Sequence, residues 1–352
     1  MKIDLKVKSD ITIQKAMKAL NKSATKCLLV VSDDNKLLGT LTDGDIRKAI
    51  LKGYLISDSI QKIYNMNPTV RFNNNYSKKE IKKIFIDNNF DLIPIINDKN
   101  EVVDTLFWDS LFSKENKTKK QILKNVKTVI MAGGQGSRLE PFTKVLPKPL
   151  IPIHDKTVIQ HIIEKFTNKG VNDFIITINY KGLILKAFFQ ELESKYNYSF
   201  IEEKKALGTA GSLFLLRNKI RTPFFVSNCD IILDVDYGSI YNFHLENNFD
   251  ITLVASAKEF TIPYGTCELK QNGLLSKINE KPKFDFLINT GLYVLSPKIL
   301  DLIPKNKFYH ITDLIEDAKN QGKKIGVYPI DEDSWIDTGQ WTEYKQAIEK
   351  LT

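Results

Sequence analysis

The chain has 352 residues, 42% of them hydrophobic, which is enough for two or three packed domains and too apolar for a disordered chain. Lys and Arg number 51 against 42 Asp and Glu, a formal charge of +9. The lysines are scattered among acids, with no arginine-rich stripe and no interleaved aromatics, so the excess reads as a solvated surface that draws in anionic small molecules; neither nucleic acid nor a membrane is expected as a partner.

The opening residues, Met1 to Lys6, lack the apolar core of a signal peptide, and no apolar run reaches the length of a membrane span. Cys27, Cys229 and Cys267 are far apart and odd in number, as expected of reduced thiols in a cytoplasmic protein. The first third of the chain repeats itself. Residues 11–20 align with 76–85, and 27–39 with 92–104, both at an offset of 65 (76 − 11 and 92 − 27). Each copy reads as an amphipathic helix, an apolar strand, an Asp/Asn turn, a second strand and a second helix. This pattern resembles a tandem pair of CBS modules, α+β units that pack together and often bind adenosine nucleotides; the modules would cover residues 1–56 and 57–113. In the first copy Thr42 and Asp45 match the Thr-x-x-Asp with which CBS modules hold ribose and phosphate. The same pair fits a plain helix cap, with Thr42 as N-cap and Asp45 in the first turn. The second copy has Phe107 and Ser110 there, so at most one adenine nucleotide site is expected, in the first module.

Residues 114–125 are polar and lysine-rich and read as a linker. From Val126 onward, strands alternate with helices. Strands are predicted at 128–131, 174–178, 224–227, 251–256 and 292–295, and helices at 157–168, 183–195, 209–216, 312–321 and 341–351. This alternation predicts an α/β domain with a mainly parallel, three-layer sheet over 126–352, with ligands at the carboxyl ends of the strands.

The first of these strands runs directly into Ala132-Gly133-Gly134-Gln135-Gly136, followed by Arg138 and Lys148. Glycines let the backbone approach a ligand with its N–H groups bare, and two cations on the same loop suit a polyphosphate. Pro141, Pro147 and Pro149 stiffen the loop. The loop is neither a dinucleotide fingerprint, since Leu139 stands where a third glycine is needed, nor a P-loop, since no Gly-Lys-Ser/Thr follows. Asp230 ends the apolar run Phe224-Phe-Val-Ser-Asn-Cys. At a strand end it suits a Mg²⁺ ligand or a simple turn.

The whole string from Val129 to Leu150 resembles the N-terminal motif of the sugar-1-phosphate nucleotidyltransferases, the NDP-sugar pyrophosphorylases. Further segments resemble the family in its own order: Leu207-Gly208-Thr209-Ala210-Gly211, Tyr264-Gly265, Glu280-Lys281-Pro282, Asn289-Thr290-Gly291 and Trp335-Ile336-Asp337-Thr338-Gly339. The resemblance implies a Rossmann-like catalytic domain using Mg²⁺. Arg138, Lys148 and Asp230 would be catalytic, and Asp230 and Asp337 would hold the metal. Ala132, Gly133, Gly134, Gly136, Gly208 and Thr209 would line the nucleotide, with the small residues of 207–211 leaving room for a ring. Gly265, Glu280, Lys281 and Asn289 would hold the sugar phosphate. Glu203 could accept hydrogen bonds from guanine, or be an exposed member of the charged run 202–205.

The implied reaction joins an NTP, GTP being favoured, to a hexose-1-phosphate. The CBS pair ahead of the domain resembles the architecture of the glucosamine-1-phosphate guanylyltransferases of bacterial nonulosonate (legionaminic acid) pathways. Mannose-1-phosphate guanylyl transfer, uridylyl or thymidylyl transfer, and a non-catalytic nucleotide sensor are the alternatives. A homo-oligomer is expected, since CBS pairs often dimerise.

Overall fold

The computed structural model describes residues 5–23, 25–73, 76–88, 90–107 and 123–351. Ser110 and residues 114–122 of the expected linker lie outside the described residues. The chain divides into two compact units: Met1–Asn116 with Ser256–Ile288, and Lys117–Ala255 with Asn289–Thr352. The sequence suggests a single cut near residue 126; packing adds a later segment to the first unit.

The first unit contains the repeat. One copy comprises β1 (Lys6–Lys8), α1 (Ile13–Ser23), β2 (Cys27–Val31), β3 (Leu37–Thr42) and α2 (Asp43–Leu51). The other comprises β4 (Arg71–Phe72), α3 (Lys78–Asn88), β5 (Leu92–Ile96) and β6 (Val102–Phe107). Each builds a three-stranded sheet whose first pair is parallel and second antiparallel. The antiparallel register slips between Val30 and Val31 in one copy and between Ile95 and Ile96 in the other, the same repeat positions. The copies meet across equivalent residues. The backbones of Lys36 and Glu101 form an antiparallel β-bridge, Leu37 N–H donates to Asn100 O at 2.8 Å, and Val102 N–H donates to Asn35 O at 3.2 Å. Asn35 and Asn100 both have positive φ, 61° and 63°, which asparagine tolerates in a tight turn. α1 buries Ile13, Ala16, Met17 and Leu20, the spacing of one helix face.

The second unit is built on a seven-stranded sheet in the order β11-β10-β7-β12-β17-β14-β18. Its strands are β7 (Lys127–Met131), β10 (Asp173–Ile178), β11 (Asn197–Glu202), β12 (Phe224–Asn228), β14 (Ile251–Thr261), β17 (Lys283–Leu295) and β18 (Ile325–Asp331). β11, β10, β7 and β12 run parallel, and β17 is antiparallel to β12. Two short antiparallel pairs accompany the sheet: β8 (Pro152–Ile153) with β9 (Lys156–Thr157), and β13 (Ile231–Leu233) with β19 (Trp335–Asp337).

Alternate residues of the strands feed two separate cores. Ile130, Ile176, Phe225 and Leu292 belong to one, with Ile159, Ile163 and Phe166 of the helix Val158–Thr167. Val129, Ile175, Val226 and Tyr293 belong to the other, with Leu314 and Ala318 of the helix Ile311–Asn320. Both faces are therefore covered. This is why the strands read as unbroken apolar runs, and it gives the expected three-layer, mainly parallel α/β architecture. Each fully buried Ile or Phe contributes about 1.5–3 kcal/mol, and both faces of the sheet carry such residues.

β14 and β17 continue out of this sheet into the first unit, joined there by the antiparallel hairpin of β15 (Thr266–Leu269) and β16 (Leu275–Asn279). Among the described residues no helix is long and apolar enough to cross a membrane.

Candidate active site

β7 and β12 are parallel neighbours, with Met131 opposite Asn228 at their carboxyl ends. The glycine loop leaves one and Asp230 follows the other, so parallel pairing alone brings them to the same edge. The loop, 132–136, is irregular, and Gly136 has φ 67°. A Cβ on Gly136 would stand 2.9 Å from Lys148 Cβ and 3.0 Å from Thr143 Cγ2, so glycine is required where the loop crosses its own cationic arm. Nothing lies within 4 Å of the corresponding position on Gly134, whose backbone is open and exposed. Arg138 is exposed on the short turn Ser137–Leu139, anchored by buried Leu139.

Lys148 is buried, in a short 3₁₀ turn set between Pro147 and Pro149. Its ammonium donates to Asp230 Oδ2, a pair whose side chains are only 9% and 15% exposed. Asp337 joins them through β13 and β19, in which Ile231 pairs with Asp337. Thr338 N–H and Oγ1–H both donate to the Asp230 carbonyl, at 2.8 and 2.9 Å. Gly339 marks the centre of the cluster. A Cβ there would stand 2.9 Å from Asp337 Oδ1, 3.1 Å from Asp230 Oδ2 and 3.4 Å from Lys148 Nζ. Burial lifts the Asp337 carboxyl above its ordinary range. The Asp230 charge adds to the shift, while the Gly339 N–H and the Lys148 ammonium oppose it. Two desolvated carboxylates that repel each other form a donor set that fits a hard divalent cation, whose remaining positions water and phosphate would fill. Among the described residues no cluster of three or more His, Cys, Asp or Glu could hold a metal, so phosphate and water would have to complete the shell. Cys229, beside Asp230, is buried and its thiol is pushed up to about 12, first by burial, so it offers no nucleophile.

Two expectations are corrected here. Gly208 and Gly211 do not leave room for a ring at their α-carbons. A Cβ on Gly208 would stand 2.6 Å from Tyr309 O, and one on Gly211 2.7 Å from Lys307 O. Ala210 and Gly211 N–H groups both donate to Tyr309 O at 3.0 Å, and Thr209 Oγ1 accepts from Ile311 N–H at 2.9 Å. The small residues admit a neighbouring strand of backbone. Nor is Glu203 an exposed member of a charged run. It is 6% exposed, and its Oε2 accepts Leu207 N–H at 3.1 Å. A Cβ on Gly133 would stand 2.9 Å from its Oε1. Burial raises its pKa, opposed by Leu207 N–H and the hydroxyls of Ser212 and Thr177. Glu203 thus fills the space between the glycine loop and the 207–211 turn.

The structure also reveals supports that have no motif. Asn179 Nδ2 donates to Glu203 O at 2.7 Å. Lys181 Nζ donates to Val145 O at 2.9 Å and to Lys144 O, tying down the loop between Arg138 and Lys148. Trp341 of the closing helix donates from Nε1 to Glu140 O at 2.9 Å and packs on Phe142 at 5.1 Å between centroids. Asn228 stands against Gly291, where a Cβ would approach its Nδ2 to 2.5 Å. Asn228 and Trp341 stand next to quoted motifs, whereas Asn179 and Lys181 only follow the strand predicted at 174–178.

The sugar-side positions are distributed along the chain as follows. In the first unit, Gly265 and Glu280 lie together, a Cβ on the glycine standing 2.9 Å from Glu280 Oε2, and exposed Lys281 follows with φ 45°. In the second unit, Asn289 Nδ2 donates to Tyr293 OH at 2.7 Å and its Oδ1 accepts Gly291 N–H at 3.0 Å. In the first module Thr42 and Asp45 satisfy each other. Asp45 N–H donates to Thr42 Oγ1 at 3.1 Å, while Thr42 N–H and O–H donate to Asp45 Oδ2 at 2.9 and 2.6 Å. This is the capping box of α2.

Comparison with known proteins places the family. A family profile described as "Nucleotidyl transferase" matches residues 127–352, and one described as "CBS domain" matches residues 1–52. The mannose-1-phosphate guanyltransferase of Yarrowia lipolytica is 35% identical over 226 residues, covering 61% of this chain and 61% of that protein. That of Saccharomyces cerevisiae is 32% identical over 229 residues, covering 61% and 62%. The chain therefore spans about three fifths of the length of the curated relatives it matches. The crystal structure of HddC from Yersinia pseudotuberculosis is 26% identical and covers 64% of this chain and 100% of that one, with a TM-score of 0.51. The same protein complexed with GMP-PN matches at 25% identity and the same TM-score. With the profile extending over most of the chain and the glycine loop, Lys148, Asp230 and Asp337 all within it, the chain belongs to the nucleotidyl transferase family.

Proposed function

We propose that the protein transfers a nucleotidyl group from GTP to a hexose-1-phosphate, forming a GDP-sugar and pyrophosphate. The observation that carries this reading is the gathering of Lys148, Asp230 and Asp337 around Gly339 at the edge where the glycine loop emerges. A phosphate oxygen of the sugar-1-phosphate attacks the α-phosphorus of the triphosphate. The bond from that phosphorus to the bridging oxygen breaks, and pyrophosphate leaves with the electron pair. Positioning and charge stabilisation do the work, and no enzyme nucleophile is required.

The open backbone of the 132–136 loop takes phosphate oxygens, with Glu203 as its buried support and Gly208 and Thr209 on the nucleoside side. Lys148 exchanges its carboxylate partner for the reacting phosphates, and exposed Arg138 takes the leaving pyrophosphate. Lys281 takes the acceptor phosphate, and Gly265, Glu280 and Asn289 the sugar. Asp230 and Asp337 would hold Mg²⁺, which when bound neutralises charge on the triphosphate.

Guanine is supported by the relatives, which are named mannose-1-phosphate guanyltransferases, and by the HddC complex with GMP-PN. Mannose-1-phosphate is the acceptor in the relatives' names, while glucosamine-1-phosphate follows from the fused repeat and its resemblance to nonulosonate-pathway enzymes. The reading includes self-association, supported by Leu269, Leu274 and Ile278 standing exposed on the hairpin. It also includes a cytoplasmic setting, supported by three free thiols, and one adenine nucleotide on the first module, which would have to open the Thr42–Asp45 pair.

Pyrophosphate release over four NTPs and a panel of hexose-1-phosphates, with and without Mg²⁺, tests the proposal. The expected result is release from GTP with one of the two named acceptors, and only with Mg²⁺. Release from another NTP alone would remove the guanylyl assignment, and no release from any pair would remove the enzyme.

A further inference from the structure

We infer that Asp285 is a positioning residue that fastens the sugar-side hairpin to the first CBS module, so that this module sets the affinity for the acceptor sugar phosphate; this rests on the function proposed above. Residues 256–288 pack with the repeat as one compact unit. Ala257, 2% exposed, lies in the same apolar cluster as Ile13, Ile46, Ile56 and Ile60 of the first module. Beyond that buried point, Asp285 Oδ2 accepts both Ser57 N–H at 3.1 Å and Ser57 Oγ–H at 2.6 Å. A carboxylate taking two donors from one residue fixes direction as well as distance.

The module's side of this contact is tied by hydrogen bonds. Ser57 sits on a turn whose Leu55 N–H donates to Asp58 Oδ2 at 2.8 Å. The start of α1 is bonded to the same turn: Ile13 N–H donates to Asp58 O and Gln14 N–H to Ile56 O, both at 2.9 Å. The hairpin's side is also braced. Lys283 pairs with Glu259 at 2.9 Å, and Ile262 N–H donates to Pro282 O at 3.0 Å. Asp285 lies on the same strand segment as this brace, a few residues beyond Glu280 and Lys281, where the chain turns with φ 45° into β17. A shift of the Ser57 turn is therefore passed to the residues assigned to the sugar and its phosphate. The second carboxylate oxygen, Asp285 Oδ1, is buried with no hydrogen-bond partner among the described residues.

Initial-rate kinetics on the full chain test the inference, with each substrate varied in turn for Asp285→Ala, Asp285→Asn and Ser57→Ala. Asp285→Ala is expected to raise the KM for the sugar phosphate roughly threefold to tenfold, the worth of one or two net hydrogen bonds, with kcat and the KM for GTP nearly unchanged. Asp285→Asn, which keeps an acceptor oxygen, should recover part of the loss. Ser57→Ala, which keeps the backbone donor, should be milder, and adding it to Asp285→Ala should cost nothing further. Unchanged sugar-phosphate KM in Asp285→Ala, or equal loss toward both substrates, overturns the inference. Should the wild-type chain turn over no substrate pair, the proposed function fails separately. Hydrogen exchange then decides the anchor: amides of 256–288 should exchange faster in Asp285→Ala, and unchanged exchange rejects it.

Discussion

Asp230 and Asp337 are held together by backbone, because Ile231 pairs with Asp337 and Thr338 hands both its N–H and its hydroxyl to the Asp230 carbonyl. The carboxylates cannot drift apart to relieve their repulsion, and burial raises the Asp337 pKa further. The sign follows from the protonation states. A raised carboxyl pKa means that the folded state prefers the proton, so the stability it contributes is full below the ordinary Asp value and is lost as pH rises through the raised one. At neutral pH without metal the ionised Asp337 therefore opposes folding. Asp337→Asn should raise Tm in metal-free buffer at pH 7, with little effect near pH 3, while turnover falls by at least about a hundredfold. Mg²⁺ should raise the Tm of the wild type and not that of the variant. Thermal melts against pH and Mg²⁺ check all three, and a lower Tm for the variant would contradict the argument.

Lys148 carries the opposite charge in the same cluster, and truncating it strands Asp230. Lys148→Met should cost about 3–5 kcal/mol of stability, the usual result of removing one member of a buried pair. Lys148→Met with Asp230→Asn should regain much of that stability but no activity. A double-mutant cycle in urea measures the coupling. Additive losses would mean that the ammonium and carboxylate do not depend on each other.

The glycine loop, Lys148 and both aspartates were legible in sequence as family-like motifs in order, and the structure brings Lys148, Asp230 and Asp337 together. The repeat was legible because self-similarity at an offset of 65 needs no knowledge of the fold. The surface-charge reading of Glu203 failed because its burial is created by the 207–211 turn and Gly133. The free space expected at the α-carbons of Gly208 and Gly211 was not legible as filled because the backbone that fills it, Lys307 to Tyr309, lies about a hundred positions away. The hairpin's membership of the first unit rests on Ala257 and Asp285, residue types with no distinguishing chemistry until they are seen in contact.

Glu203 acts through support. Glu203→Ala should leave Leu207 N–H unsatisfied and empty the space behind Gly133, at about 1–3 kcal/mol, with weakened binding of every NTP. Glu203→Gln keeps an acceptor oxygen and should preserve the order of preference among the four NTPs. Competition binding with the four triphosphates gives the readout; a switch of base preference in Glu203→Gln would show that the carboxylate reads the base after all.

Gly134 and Gly136 separate fold from function on a single loop. Gly136 has φ 67° and faces Lys148 Cβ and Thr143 Cγ2 at 2.9 and 3.0 Å. Gly136→Ala must adopt a left-handed conformation at about 1–2 kcal/mol and also displace the Lys148 stem. It should lower Tm and activity together. Gly134 has open space at its Cβ position and no positive φ. Gly134→Ala should leave Tm unchanged, because no protein atom is struck. A triphosphate lying against that bare backbone, however, would meet the new methyl group directly. The KM for GTP should then rise by about tenfold or more, the equivalent of roughly 1.4 kcal/mol, with kcat less affected. Melts and GTP titrations of the two variants decide the matter. If Gly134→Ala binds GTP as the wild type does, the phosphates do not pass over this loop, and Lys148, Asp230 and Asp337 must meet their substrate from another side.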